Sequence, residues 1–466
     1  MTRPSIENIV VESAAAKRYA LSITTVAAFL APFGVSSVNI ALPSIGKEFQ
    51  MDAILLSWVT TTYLLTMTVF LVPFGKMADM YGRKKIFICG VLVFVLASLG
   101  VSLSNSSGML ILFRILQGIG GAANYCVGAA ILTSVFTSRE LGKVLGINLA
   151  AVYVGQTAGP FLGGFLTQHL GWRSIFFVNV FLGLMIVFFT FWKLKGEWRE
   201  AERTKFDLAG STLYGITLLL IMYGFSRLST MAGIWLIVAG VAGILGFIKW
   251  EIRVESPVLD MRLFQRNRVF AFFNLATLIS YSATFAVGFL LSLYLQFIRT
   301  LSPQSAGLLL VAQPIVQAIF SPVAGRLADK IEPQRVASVG MFLTAVALFL
   351  LAFLDEKSPL GFIVATIAIL GFGFALFATP SVKAVMSSVE NRYYGVASGA
   401  LGTMRGMGMV FSMGITLLLF SIYIGEVQIT PEYYPIFLKC LKLAFTFFAV
   451  LCLGGVFASL VRAKRY

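Results

Sequence analysis

The chain is poor in the residue types on which most enzyme and metal chemistry rests. Its 466 residues include one histidine, His169, and four cysteines, Cys89, Cys126, Cys440 and Cys452. All four cysteines fall inside apolar runs and none stands in a CxxC spacing, so neither a disulfide framework nor a zinc site is indicated. A lone histidine without clustered acids argues against a catalytic metal centre. No metal, no cofactor and no catalytic group is therefore expected, and an enzyme would need nucleophile, base or ligands gathered at one depth. No GxxxxGK[ST] string occurs, so ATP does not power the protein directly. Charge is scarce as well: Asp, Glu, Lys and Arg make up 12% of the chain, against about 25% in soluble domains.

What is present is apolar. Hydrophobic residues make up 58% and the mean hydropathy is +0.89. No soluble core buries that much apolar surface, so the lipid bilayer is the solvent. The net charge of +16 does not mark a nucleic-acid binder, because the cations sit between apolar runs, as topology signals do. The N-terminus is polar to Arg18, and the apolar run to Pro43 is too long for a signal-peptide core, so it reads as a retained first helix.

A spanning helix needs about 20 mostly apolar residues. Fourteen runs qualify: 20–42, 54–74, 85–104, 109–132, 142–168, 173–192, 206–226, 231–250, 269–297, 303–328, 335–354, 360–386, 393–422 and 437–462. With the N-terminus inside, cytoplasmic segments hold 27 of the 36 Lys and Arg, outer segments hold seven, and Arg114 and Arg405 lie within spans. That asymmetry places both termini in the cytoplasm. The stretch Gly325-Arg326-Leu-Ala-Asp329-Lys330 echoes Gly75-Lys-Met-Ala-Asp79, 250 positions earlier. A weak internal repeat is the mark of a transporter built from two related halves. The expected organisation is a cytoplasmic N-terminus (1–19), a six-helix bundle (20–192), charged linkers with an inserted helix pair (193–268, the pair at 206–250), a second six-helix bundle (269–462) and a short tail (463–466).

Three strings carry more than topology. The first, Gly75-Lys-Met-Ala-Asp79-Met-Tyr-Gly82-Arg83-Lys84-Lys85, is a short charged loop between two spans. Its glycines permit a sharp turn, and Asp79, Arg83 and Lys84 are placed to form a charge latch, with Gly325, Arg326 and Asp329 as the counterpart in the second half. In the second, Leu112-Phe-Arg-Ile-Leu-Gln-Gly-Ile-Gly-Gly-Ala122, Arg114 shares a helical face with Gln117, Gly118, Gly121 and Tyr125. An arginine within a span faces a partner or a wet cavity, or snorkels to the outer surface. In the third, Val154-Gly-Gln-Thr-Ala-Gly-Pro-Phe-Leu-Gly-Gly164, Gly155, Gly159 and Gly163 form a small-residue strip beside Pro160 and Gly164. Such a strip lets helices approach closely.

These strings resemble the signature loop, the fourth-span motif and the antiporter motif of the major facilitator superfamily. Val38-Asn-Ile-Ala-Leu-Pro43, Gly171-Trp-Arg-Ser-Ile-Phe-Phe-Val-Asn179 and Arg405-Gly-Met-Gly408 extend the likeness to its fourteen-helix drug:proton antiporter branch. The resemblance implies an all-α membrane protein with the major facilitator fold in a 6 + 2 + 6 arrangement. It also implies multidrug-type efflux across the cell membrane, coupled to protons.

Mid-span polar and aromatic residues are the candidates for a substrate cavity: Asn39, Tyr63, Arg114, Asn124, Tyr153 and Gln156 in the first half, and Asn274, Tyr281, Gln313, Gln317 and Arg405 in the second. The sequence departs from the branch in one respect. Gly34 stands where the branch carries an acid, and all 20 acidic residues fall outside the spans or at their ends. A proton-driven exporter of cations needs an embedded carboxylate. The expected function is therefore secondary export of an amphiphilic or hydrophobic small molecule by a monomer. The alternative, favoured by Arg114 and Arg405, is movement of an anionic metabolite or lipid with atypical coupling. Any coupled proton must then use Asp79, Asp329, Asp207, His169 or the substrate itself.

Overall fold

Helix ends in this chain are written by short polar residues and by glycine, and they lie beyond the apolar runs. The structure, a computed structural model, describes residues 14–194, 196–198, 207–254, 257, 261–390 and 393–460. The expected tail at 463–466, most of the N-terminal segment and the linker at 199–206 lie outside the described residues.

The first six helices are α1 (Ala14–Phe49), α2 (Ala53–Tyr81), α3 (Arg83–Ser102), α4 (Ser107–Val135), α5 (Ser138–Leu170) and α6 (Arg173–Lys193). Asp52 caps α2 by accepting from the N–H of Leu55, and Ser106 caps α4 by accepting from that of Met109, so the orphan donors of each first turn are met. Then come α7 (Leu208–Ser226), α8 (Met231–Glu251) and the six-residue α9 (Met261–Arg266). The rest comprises α10 (Arg268–Leu293), α11 (Pro303–Leu310), α12 (Ala312–Lys330), α13 (Pro333–Leu351), α14 (Leu360–Ser387), α15 (Tyr394–Tyr423) and α16 (Tyr434–Ser459).

Fourteen of the described segments are long and apolar enough to cross a membrane. The span expected at 303–328 is broken at Val311 into α11 and α12. Pro314 explains the break, because it has no N–H to offer the carbonyl of Leu310. The end of α10 loosens into a π-helical turn, Tyr294–Ile298.

Packing sorts the helices. Helices α1–α6 contact one another, chiefly α1 with α5, α3 with α4, and α2 with α4. Helices α10–α16 do the same, chiefly α13 with α14, α12 with α14, and α10 with α15. The small-residue strip of α5 lies on α1: a Cβ at Gly155 would meet the carbonyl of Phe29 at 2.5 Å, and one at Gly163 the Cα of Ser37 at 2.7 Å. In a bilayer, such backbone approach supplies the dispersion contacts that hold helices together. The pair α7–α8 packs on α2 and α15, along the outside of the seam between the two sets.

The acids of that pair are not solvated. Asp207 caps α7, accepts from the N–H of Gly210 at 2.8 Å and from the indole of Trp250 in α8 at 3.1 Å, while Glu251, at the end of α8, is fully buried. Both face Lys76 of α2, whose Nζ donates to the carbonyl of Pro257 at 2.8 Å. Buried carboxylates are retained where a cation and hydrogen bonds offset their desolvation.

Candidate functional site

Between the two sets lies a cavity of about 430 Å³, walled by α1, α2, α4 and α5 on one side and by α10, α12, α14 and α15 on the other. A smaller cavity of about 130 Å³ continues from it toward Asn39, Gln313 and Pro314. The larger one holds aliphatic, aromatic and methionine side chains, Met67, Phe285 and Met409 among them, with few polar groups. That volume and lining suit a drug-sized molecule, and methionine adapts to differing shapes.

The structure brings together seven of the expected cavity residues. Tyr153, Gln156, Tyr281, Gln317 and Arg405 line the larger cavity, and Gln156, Tyr281 and Gln317 also line the smaller one, joined there by Asn39 and Gln313. It does not bring Tyr63, Arg114, Asn124 or Asn274 to either lining. Asn274 is buried and donates to the carbonyl of Phe270, and Asn124 is buried within α4.

Arg114 is 1% exposed and enclosed between α2 and α4. Its Nε donates to the carbonyl of Val59 at 2.9 Å and its Nη1 to Oε1 of Gln117 at 2.6 Å. Gln117 in turn donates to the Ser98 hydroxyl of α3 at 2.8 Å, and the guanidinium lies 4.5 Å from the centre of the Tyr63 ring. The cation expected at the cavity thus serves as a cross-link inside the first set, held by a backbone carbonyl, an amide oxygen and a ring face, with Nη2 left without a partner among the described residues.

Arg405 is placed differently. It projects from α15 into the cavity, with its guanidinium 5.9 Å from the centre of the Tyr281 ring and the phenols of Tyr125 and Tyr153 facing it from the other wall. Its Nε has no hydrogen-bond partner among the described residues. No Asp or Glu lines either cavity among the described residues.

At one end, here called the Asp79 end, the cavity reaches Lys383 of α14, whose Nζ lies 2.5 Å from Oδ1 of Asp329. The opposite, far end is sealed by bonds between the two sets. Ser292 of α10 donates to the carbonyl of Asn39 at 2.7 Å, and Gln296 to that of Ile40 at 2.9 Å. Gly164 of α5 presses on Pro303, Gly307 of α11 presses on Pro160, and His169 reaches Gln304 at 3.0 Å. The N–H of Ala53 donates to Val427 at 3.0 Å. Beside this seal, the Ser358 hydroxyl and the Lys357 N–H hold the Asp355 carboxyl below its usual range.

The charged loop folds on its own side. Arg83 clamps Asp79 at 2.7 Å and reaches the Ala130 carbonyl and the Ser134 hydroxyl of α4. Gly82 takes φ = 113°, a left-handed conformation, so that its neighbours can turn onto the segment after α6. There the N–H of Arg83 meets the carbonyl of Trp198 and that of Lys84 meets Oε1 of Glu197, while Lys84 Nζ caps Leu194. Gly325 and Arg326 lie near the matching end of α12, Arg326 exposed.

Sequence reasoning did not find Lys383, Ser292 or Gln296. Each is a polar residue in an apolar helix, but that signal does not say which face it occupies. Tyr125 stands on the helical face of Arg114 in the sequence, yet its ring belongs to the cavity.

A profile of the Major Facilitator Superfamily matches residues 24–250 and 273–465. The chain is 29% identical over 397 residues to the riboflavin transporter RibZ of Clostridioides difficile, covering 84% of this chain and 86% of that protein. It is 30% identical over 387 residues to the multidrug resistance protein Stp of Mycobacterium tuberculosis, covering 81% of this chain and 71% of that one. Among solved structures, it matches a bacterial homologue of the human lysosomal transporter Spinster in an inward-facing, unoccupied conformation. There the TM-score is 0.69 at 15% identity, over 96% of this chain and 97% of the other, a likeness of fold.

Proposed function

The chain belongs to the Major Facilitator Superfamily of membrane transporters, and from that premise we propose that it exports amphiphilic or hydrophobic small molecules by alternating access. The observation that carries the reading is the 430 Å³ cavity walled by both helix sets, apolar and aromatic in lining and closed at one end. A site held between two halves, open to one side at a time, is how a secondary transporter works. Helices α1–α6 and α10–α16 act as the halves, corresponding to residues 20–192 and 269–462, and the pair at 206–250 rides on their seam. The protein sits in the cell membrane as a monomer with both termini in the cytoplasm, because the loops rich in Lys and Arg lie at the Asp79 end. In that orientation the conformation is open to the cytoplasm, the side from which an exporter loads. The multidrug resistance protein among its relatives supports the direction.

The proton gradient is the proposed driving force. Among the described residues no carboxylate lines the cavities, so the proton travels on Asp79, Asp329, Asp207, His169 or the substrate. The test is purified protein in vesicles, with substrate flux and proton flux recorded together. Dye movement with opposed proton movement is expected. Dye movement without protons removes the coupling and leaves the export, and no dye movement removes both.

A further inference from the structure

We infer that the central cavity takes a flat aromatic organic anion, its carboxylate, sulfonate or phosphate on Arg405 and its rings against the tyrosines around that side chain. This names the substrate class of the transport site above and rests on that reading.

The charge comes first. Arg405 is a half-buried cation on a largely apolar wall, and what faces it is phenolic: Tyr125 and Tyr153 from one half, Tyr281 from the other. Its Nε lacks a hydrogen-bond partner, and no acid lines either cavity among the described residues. A cation withdrawn from water without a counter-charge is costly. Arg114, equally deep in the sequence, lines neither cavity, and its Nε and Nη1 are held by protein groups while Nη2 has no partner among the described residues; Lys383, at the cavity mouth, is held by Asp329. Arg405 is therefore the cation on this wall whose counter-ion the ligand supplies. A guanidinium offers a planar fork that fits a carboxylate, sulfonate or phosphate better than a point charge does.

The shape follows from the lining. Three phenol rings with Phe285 and Phe374 nearby form surfaces for stacking. Phe374 packs edge-on to Tyr281 at 5.3 Å, which fixes that ring as a wall. Gln156 and Gln317, from opposite halves, line both cavities and offer amides to the polar rim of a heterocycle. A bare cation entering here meets Arg405 with no acid to offset the repulsion.

The experiment uses two dyes with one xanthene skeleton and opposite sign, fluorescein (anionic) and rhodamine 123 (cationic). They are titrated by fluorescence anisotropy onto the full chain in nanodiscs of phosphatidylcholine. Fluorescein is expected to bind about tenfold or more tightly than rhodamine 123, the worth of one charge-assisted contact. Arg405→Gln should remove that preference without weakening rhodamine 123, which also reports that the variant is folded. Arg405→Lys, which keeps the charge and loses the fork, should retain the sign of the preference at reduced size. Three results overturn the inference: rhodamine 123 held as tightly as fluorescein, Arg405→Gln binding fluorescein undiminished, or no fluorescein binding at all. Vesicle flux separates this from the transport reading. A chain that binds fluorescein through Arg405 yet moves neither dye keeps the inference and sinks the transport reading. Export of rhodamine 123 without fluorescein binding does the reverse.

Discussion

Gly307 of α11 lies under the carbonyl of Pro160 in α5, so close that a Cβ at position 307 would meet that oxygen at 2.1 Å. The two helices belong to opposite halves, and the contact sits in the seal at the far end. Gly307→Ala should therefore act on the sealed conformer. Overpacking of this kind costs about 1–3 kcal/mol, which biases the population away from that conformer by roughly 5- to 150-fold. An impermeant maleimide applied from the far side should label Ser292→Cys faster in the Gly307→Ala background, and vesicle transport should fall. Gly361→Ala, where nothing lies within 4 Å, is the control. Equal labelling in both backgrounds would show that the α5–α11 contact does not hold the gate.

Arg114 should behave as a structural residue. Arg114→Ala leaves the Val59 carbonyl and the Gln117 amide without their donor in a dry interior, at roughly 1–3 kcal/mol for each orphaned group. The expected result is a fall in thermal stability and in yield, with the ratio of fluorescein to rhodamine 123 affinity unchanged in the protein that survives. A changed ratio at unchanged stability would return Arg114 to the cavity.

The pair Arg114 and Arg405 shows how far the sequence could be read. Hydropathy gives fourteen spans, because a bilayer demands length and apolarity and both are local properties. The glycine strip of α5 is legible for the same reason: spacing of four puts it on one face, and only a backbone fits against it. Which way a single arginine faces is not local. It depends on the roll of α4 against α2 and of α15 against α10, and neither helix has a polar stripe strong enough to fix that roll. Asn124 and Asn274 failed as cavity residues on the same ground. Lys383 was legible only as a topology charge, since its place at the cavity mouth follows from where α14 ends relative to α12.

The loop at the Asp79 end predicts an unequal pair of mutants. Asp79→Asn removes one charge from a partly exposed contact (34% for Asp79, 14% for Arg83) and leaves the Ala130 and Ser134 contacts of Arg83 in place. Exposed pairs contribute about 0–1 kcal/mol, so the variant should insert normally and lose transport rate more than stability. Arg83→Gln strips Asp79 and α4 together and should lose both. Comparing Tm with initial rate for the two variants checks this. If Asp79→Asn transports at the parent rate, the loop has no latch role.

Lys383 and Asp329 give the sharpest test of the field inside the cavity. Their side chains are 41% and 67% exposed, so the pair itself contributes little to stability. Breaking it from either side, however, changes the charge at the mouth in opposite directions. Asp329→Asn leaves Lys383 as an uncompensated cation on the cavity wall; Lys383→Gln removes that cation and leaves Asp329 outside. If an anion binds on Arg405, the first variant should tighten fluorescein by about two- to fivefold at low salt and the second should weaken it by a similar factor. Both effects should fade toward 1 M salt, where the screening length falls to about 3 Å. Rhodamine 123 should respond with the opposite sign. The same two proteins also address the proton. Should Asp329→Asn bind fluorescein more tightly yet move no protons with it, Asp329 carries the proton and Arg405 the substrate. Should both variants leave both dyes unmoved, the charge at the mouth is not felt in the cavity and the electrostatic argument for an anionic substrate loses its second support.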